Sequence, residues 1–297
     1  MSREAYDQEI EQLLDGAVDT HVHTGPDVFA RHDTDFEAAR KARDRGMDAI
    51  LVKSHHFETG SRGQLATQET GFRVLGGVSL NKWVGGYNPD AVEGAANLGS
   101  SVVWLPTITA TNHMERGLVP HLDKETPRDA EKEGVATVDD EGNLRPEAVA
   151  VAERIAETGI VVALGHLSPS EAITFTETAV DVGVEKILCI HPHAKFLDYS
   201  HDELQTLVDM GVTVELHYAM TTEMMDYAAT IDDFIAAIEA VGVENVILAT
   251  DGGSLLNPPA IEMFESFVRD MLEAGVPSED ISTMIETNPK RLYEIDG

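Results

Sequence analysis

The stretch GAVDTHVHTGPD, residues 16–27, is a short apolar run that ends in two histidines, His21 and His23, and then meets a Gly25-Pro26 turn. Residues two apart on a β-strand share a face, so the two imidazoles point the same way. Taken alone, the stretch fits two polar residues where a strand meets a loop as well as it fits a pair of metal ligands. The rest of the chain decides between those readings.

Seven further runs of the same character follow: GMDAILVKSH (46–55), FRVLGGVSL (72–80), SSVVWLPTI (100–108), GIVVALGH (159–166), EKILCIHPH (185–193), GVTVELHY (211–218) and ENVILATDGG (244–253). Each is apolar nearly throughout, as expected of parallel strands covered by helices on the outside. Between them lie segments with apolar residues at helical spacing, such as RPEAVAVAERIAETG (145–159), SPSEAITFTETAVDVG (168–183) and PAIEMFESFVRDMLEAG (259–275). Most end in Gly, and several open with Ser, Asp, Thr or Pro, the usual stop and start signals. Eight strands alternating with helices in a 297-residue chain predict one α/β domain, residues 1–297, folded as a (β/α)8 TIM barrel. An open doubly wound sheet is the alternative, and no G-x-G-x-x-G follows the first strand to support it. The one long interruption, residues 109–145 after the fourth strand, reads as an insertion at the barrel rim or a lid, with GVATVDDEGNL (134–144) as a small hairpin.

Composition bounds the partners. Asp and Glu total 53 against 21 Lys and Arg, a formal net charge of -32, which repels nucleic acid and anionic membranes and leaves a small-molecule substrate as the expected partner. The excess is spread through every segment, which resembles the proteins of salt-accumulating halophiles more than a patch that steers cations. The single cysteine, Cys189, excludes a disulfide framework and Cys-rich zinc sites. No apolar run has the length of a membrane helix, and the acidic, amphipathic start MSREAYDQEIEQLLDG is unlike a signal peptide, so a soluble cytoplasmic protein is expected. A homo-oligomer is compatible with all of this.

In such a barrel the chemistry stands at the C-terminal strand ends. These hold His21 and His23, Lys53 and His55, His166, His191 and His193, Glu215 and His217, and Asp251. By strand periodicity Val162 and Leu164 share a face with His166, Ile187 and Cys189 with His191, and Ile247 and Ala249 with Asp251, so apolar residues are expected inside the barrel below each polar one. Imidazoles plus a carboxylate, without thiolate, suit zinc, manganese or iron. Lys53 shares its face with Ala49, Leu51 and His55, which aims it at the mouth. Lys53 could polarise a carbonyl, and Arg31 could hold an anionic group. His55 and His193 join Arg31 as substrate-binding candidates, and Glu215 and His217 are placed to orient ligand imidazoles. A salt bridge to a nearby acid is the plain alternative for Lys53 and Arg31. His32, His113, His121 and His201 read as surface or lid residues.

His-x-His on the first strand, single histidines closing the fifth and sixth, Asp-Gly at the eighth and NPKRLY at 288–293 resemble the amidohydrolase superfamily of metal-dependent hydrolases. HVHTGPDVFAR with LVKSHHF further resembles a poorly characterised branch of it. The resemblance implies His21, His23, His166, His191 and Asp251 as metal ligands. It also implies hydrolysis of an ester, lactone, amide or related bond by metal-activated water, with Asp251 moving the proton. The chain departs from the two-metal members at the fourth strand end, which reads Trp104-Leu105-Pro106-Thr107 where those carry a bridging lysine. Lys53 is the substitute position, and one ion or two both stay open. Three alternatives also stay open: a phosphoesterase of the polymerase-and-histidinol-phosphatase type, although this chain has TDGG where those commonly end in Asp-x-His, an amidohydrolase-type decarboxylase, and an inactive binding barrel.

Overall fold

The computed structural model describes residues 3–116, 134–225 and 228–296. The eight apolar runs form β1 Val18–His23, β2 Ala49–Lys53, β3 Arg73–Ser79, β4 Val102–Trp104, β5 Val161–Ala163, β6 Ile187–Ile190, β7 Val212–His217 and β8 Val246–Ala249. Each strand pairs in parallel with its neighbour in sequence, from β1 to β8. A bridge between Val22 and Gly252, with the His23 N–H donating to the Gly252 carbonyl at 2.8 Å, returns the end of β8 to β1. The result is the (β/α)8 barrel; a doubly wound sheet would have reversed the strand order at a switch point.

Helix α1 Arg3–Leu14 precedes the barrel. Then α2 Asp35–Arg43, α3 Gly60–Thr70 and α4 Pro89–Asn97 follow the first three strands. After β4 come α5 Thr111–Arg116 and α6 Pro146–Thr158, and the later strands are followed by α7 Pro169–Asp181, α8 His201–Asp209, α9 Ile231–Val241 and α10 Ala260–Glu273. Reciprocal capping boxes start four of these helices, at Thr34/Glu37, Ser168/Glu171, Ser200/Glu203 and Thr230/Asp233, satisfying backbone N–H groups that the first turn leaves unpaired. In the insertion, Val138 and Leu144 form an antiparallel bridge across an Asp139–Gly142 turn, the core of the expected hairpin. Residues 117–133, His121 among them, lie outside the described residues.

The core has two layers. Outside the sheet, Val162, Leu164, Ile187 and Cys189 pack against the helices; inside it, Leu51, Trp104, Ala163, Ile190 and Ile247 pack together. The expected faces therefore hold for β2 and β8 and are reversed for β5 and β6, where Ala163 and Ile190, not Val162 or Cys189, point inward. His166 and His191 still reach the mouth because the chain leaves these strands through left-handed backbone, at Gly165 (φ 61°) and at His191 itself (φ 53°). That turn breaks the two-residue alternation before the histidine is placed. At the opposite end, α11 Asn288–Tyr293 contributes Leu292 to the interior layer, and Asn288 Nδ2 donates to the Val243 and Val246 carbonyls. The NPKRLY segment thus closes the barrel floor.

Candidate metal centre

One extra residue in β1 builds the first half of the site. Asp19 pairs with Ile50 but Val22 pairs with Val52, so β1 bulges between them. The bulge brings both Thr20 and His21 to one buried carboxylate: Thr20 Oγ1 donates to Glu215 Oε1 at 2.5 Å, and His21 Nδ1 lies 3.2 Å from Glu215 Oε2. The side chains of Glu215 and His217 are fully buried.

The proton positions around Glu215 follow from which groups can only donate. The backbone N–H of His191 donates to His217 Nδ1 at 3.3 Å, so the His217 proton sits on Nε2, 2.8 Å from Glu215 Oε2. His21 Nδ1 lies 2.9 Å from His217 Nε2 and 3.2 Å from the same oxygen, which serves as acceptor for both rings; Lys53 Nζ, a donor 3.0 Å from His21 Nε2, agrees with a proton on Nδ1 and a lone pair on Nε2 at the mouth. His23 Nδ1 lies 3.1 Å from the Lys53 carbonyl and 3.2 Å from Arg31 Nη2; donating its proton to the carbonyl leaves His23 Nε2 free. That nitrogen lies 3.1 Å from Asp251 Oδ1, and His21 Nε2 lies 3.5 Å from it.

Two groups of potential ligands result: His21, His23 and Asp251, and His21, His191 and His217, with the donor atoms of each within 4.8 Å of one another. The hydrogen bonds favour the first, since His217 Nε2 is committed to Glu215. His191 Nδ1 is buried without a hydrogen-bond partner and stands 4.0 Å from Asp251 Oδ2, an orphaned donor site beside the first group. These residues fit a divalent cation: neutral imidazole nitrogens and a carboxylate oxygen, with the His21 and His23 rings backed by Glu215 and the Lys53 carbonyl.

Electrostatics agree. Burial pushes His21, His166 and His191 well below the usual imidazole range, and burial together with Arg31 takes His23 down to about 4, so their lone pairs are free at neutral pH. Burial acts upward on Asp251, but the adjacent His23 and the surrounding imidazoles prevail and hold it below the usual carboxylate range. Lys53 is fully buried, with Nζ 3.0 Å from His21 Nε2 and 5.2 Å from the Trp104 ring. Burial pushes its ammonium down to about 8, against the upward pull of Asp251 and Glu215. The salt bridge that the sequence left open for Lys53 is not made with any carboxylate among the described residues.

Above these groups lies a cavity with about 500 Å³ of empty space, including its open mouth. His23, His55, Arg31 and Asp251 line one side; Phe196, Met220, Met224 and Met225 supply the apolar lining. Arg31 is both things the sequence offered: it lines the cavity, and its Nε and Nη2 bond Asp27 Oδ2 at 2.8 and 2.7 Å. His55 Nδ1 is 3.1 Å from Thr107 Oγ1. His193 does not join them; it packs on the Phe234 ring at 5.1 Å and is absent from the cavity lining. The sixth strand end turns at His191, so the His two residues later is carried outward.

His113 corrects the sequence reading the other way. Read as a surface or lid residue, it is 5% exposed and lines the cavity. Its partner His166 lies 53 residues away in the chain, a tertiary contact that no local pattern announces.

The backbone is strained where the ligand candidates sit. Among the described residues only His191, Asp198, Asp251 and Glu294 are non-glycine residues with positive φ, and two of the four are ligand candidates. Beside them Gly253 (φ 116°) passes so close to β1 that a Cβ would overlap the His23 carbonyl. Gly253→Ala is therefore expected to cost about 2–4 kcal/mol, summing backbone strain and overpacking, as read by chemical denaturation. A variant within about 0.5 kcal/mol of the parent would show that the β8 loop can move off β1 freely.

Comparisons place the fold among hydrolases. The structure matches an amidohydrolase from Pseudomonas aeruginosa at TM-score 0.62 and 14% identity, covering 97% of this chain and 98% of that one. It matches the probable dipeptidase PvdM from the same organism at TM-score 0.67 and 12% identity, covering 98% of each. A PTE-like lactonase mutant from Deinococcus radiodurans follows at TM-score 0.58 and 13% identity, covering 96% and 97%. At these identities the likeness is one of fold, the (β/α)8 barrel over nearly its whole length. No curated protein matches the chain in sequence. Residues 16–215, from the first strand with its paired histidines to Glu215, match one family, and the chain belongs to it: the Family of unknown function (DUF6282).

Proposed function

We propose that the protein is a metal-dependent hydrolase of the amidohydrolase type, acting on an ester, lactone, amide or related bond of a small molecule. The observation that carries this is the convergence of His21 Nε2 and His23 Nε2 on one Asp251 oxygen beside a cavity that His23 and Asp251 line, with the back nitrogen of each imidazole already hydrogen-bonded. His21, His23 and Asp251 would hold a divalent ion, with His191 and His166 beside them to complete one site or share a second. Zinc suits this set best, with manganese and iron as alternatives. Bound there, the ion supplies Lewis acidity to a substrate carbonyl and to water.

The chain's own residues do the rest. Asp251, with 12% of its side chain exposed to the cavity, takes a proton from the attacking water and delivers it to the leaving group. Lys53 Nζ, buried and close to His21, stabilises negative charge developing on the substrate oxygen. Arg31 and His55 orient polar substrate groups, while Met220, Met224, Met225 and Phe196 receive an apolar body. The described part of the insertion forms a rim of this site.

Elemental analysis of protein purified without chelator tests the reading, with about one or two ions expected per chain. Zn²⁺ or Mn²⁺ at about one hundred times Kd should stabilise the stripped protein by about 2.7 kcal/mol, and a panel of small lactones, esters and amides should include a substrate. Protein without metal, and without a thermal shift on adding either ion, would sink the reading and leave an inert binding barrel.

A further inference from the structure

The insertion after β4 reaches the site through two adjacent side chains of α5. Asn112 Nδ2 donates to the carbonyl oxygens of His166 at 3.2 Å and Phe196 at 2.9 Å, tying the loops after β5 and β6 together. His113 follows it, with its ring 4.7 Å from Phe196 and 4.8 Å from His166, and with Nδ1 2.9 Å from His166 Nδ1. With no carboxylate among the described residues hydrogen-bonded to either nitrogen, as Glu215 is to His21 and His217, two imidazole nitrogens at that separation hold one proton between them. Two protons would collide, and none would set two lone pairs against each other. One ring therefore carries its proton on Nδ1 and presents a bare Nε2, and the other does the reverse. Both rings line the cavity, so the direction of this one bond decides which of them offers a lone pair.

The other candidate ligands show the pattern. His21 is backed by Glu215 and His23 by the Lys53 carbonyl, acceptors that favour a proton on Nδ1 and a bare Nε2. Among the described residues His113 is the only group that hydrogen-bonds the His166 ring. We infer that His113 is a positioning residue that accepts the Nδ1 proton of His166 and so holds His166 in the tautomer with a bare Nε2 for a metal ion. The inference rests on the metal-centre reading and extends it to a side chain from the insertion, which then helps build the site as well as border it. Such outer hydrogen bonds fix ring orientation as well as tautomer.

Two variants separate hydrogen bonding from packing. His113→Phe keeps a ring between Phe196 and His166 but removes the acceptor; His113→Asn gives up the ring and keeps an acceptor oxygen. Spectroscopic titration with Co²⁺ should show affinity reduced about 10- to 100-fold in His113→Phe, with its melting temperature little changed, and part of the loss recovered in His113→Asn. Long-range ¹H–¹⁵N spectra of metal-free wild-type protein labelled with ¹⁵N-histidine should place the His166 proton on Nδ1, and His113→Phe should lose that preference. A His166 proton on Nε2 in the wild type, or His113→Phe binding Co²⁺ as tightly as wild type, overturns the inference. Wild-type protein that binds no Co²⁺ but shows the Nδ1 tautomer would sink the metal reading while supporting the positioning role.

Discussion

Replacing Asp251 by Asn is expected to lower turnover by about 10²- to 10⁴-fold, the range for loss of a positioned acid-base group, while the barrel stays folded. Asn is the informative choice for two reasons. Asp251 sits at φ 50°, and Asn is among the few residues that adopt left-handed backbone readily, so the strand end should keep its turn. Its amide oxygen can still face His21 and His23 where Asp251 Oδ1 lies 3.5 and 3.1 Å from their Nε2 atoms. What Asn cannot do is hold a proton and release it. The measurement is kcat on whichever ester, lactone or amide the wild type cleaves, alongside metal content and circular dichroism. A folded, metal-loaded Asp251→Asn protein with full turnover would remove Asp251 from proton transfer and confine it to ligand duty.

The barrel was legible because parallel strands covered by helices must be apolar on both faces, and eight such runs stand out against amphipathic helices. The site was half legible. His21 and His23 could be placed as a pair because the β1 bulge, which brings Thr20 to the same face as His21, lies before the two-residue step between them; Asp251 meets them although its own backbone is left-handed. His166 and His191 reach the mouth, but from strands whose faces were read the wrong way round, since left-handed backbone at Gly165 and His191 resets the alternation. Gly165 before His166 was a visible signal of that turn; His191 gave none, because a left-handed histidine looks like any other in sequence. His193 was misplaced by the same turn. His113 could not be found at all from local pattern, because its burial depends on α5 being tied down by Asn112 to two distant loops.

Glu215 carries the second large effect. It is wholly buried and receives three donors on two oxygens, from Thr20, His21 and His217. Burial raises it to about 8 against the Thr20 hydrogen bond, yet three donors converging on one group is an arrangement that suits a carboxylate and not a protonated acid. Glu215→Leu preserves much of the volume and removes every acceptor, leaving a hydroxyl and two imidazole N–H groups unpaired in the interior. By the cost of stranding one side of a buried polar network, about 3–5 kcal/mol of stability should be lost. At roughly 2–4 °C per kcal/mol for a chain of this size, the melting temperature should fall by about 6–20 °C. Affinity for Zn²⁺ should fall about 10- to 100-fold as well, because His21 is no longer fixed with its proton on Nδ1. Glu215→Gln separates the two losses. One amide oxygen can still accept from Thr20 while the NH₂ group faces the imidazole donors, so stability should recover more than metal affinity. If calorimetric titration instead shows both variants binding Zn²⁺ like wild type, the orientation of His21 is set by the β1 bulge alone and Glu215 serves only the core.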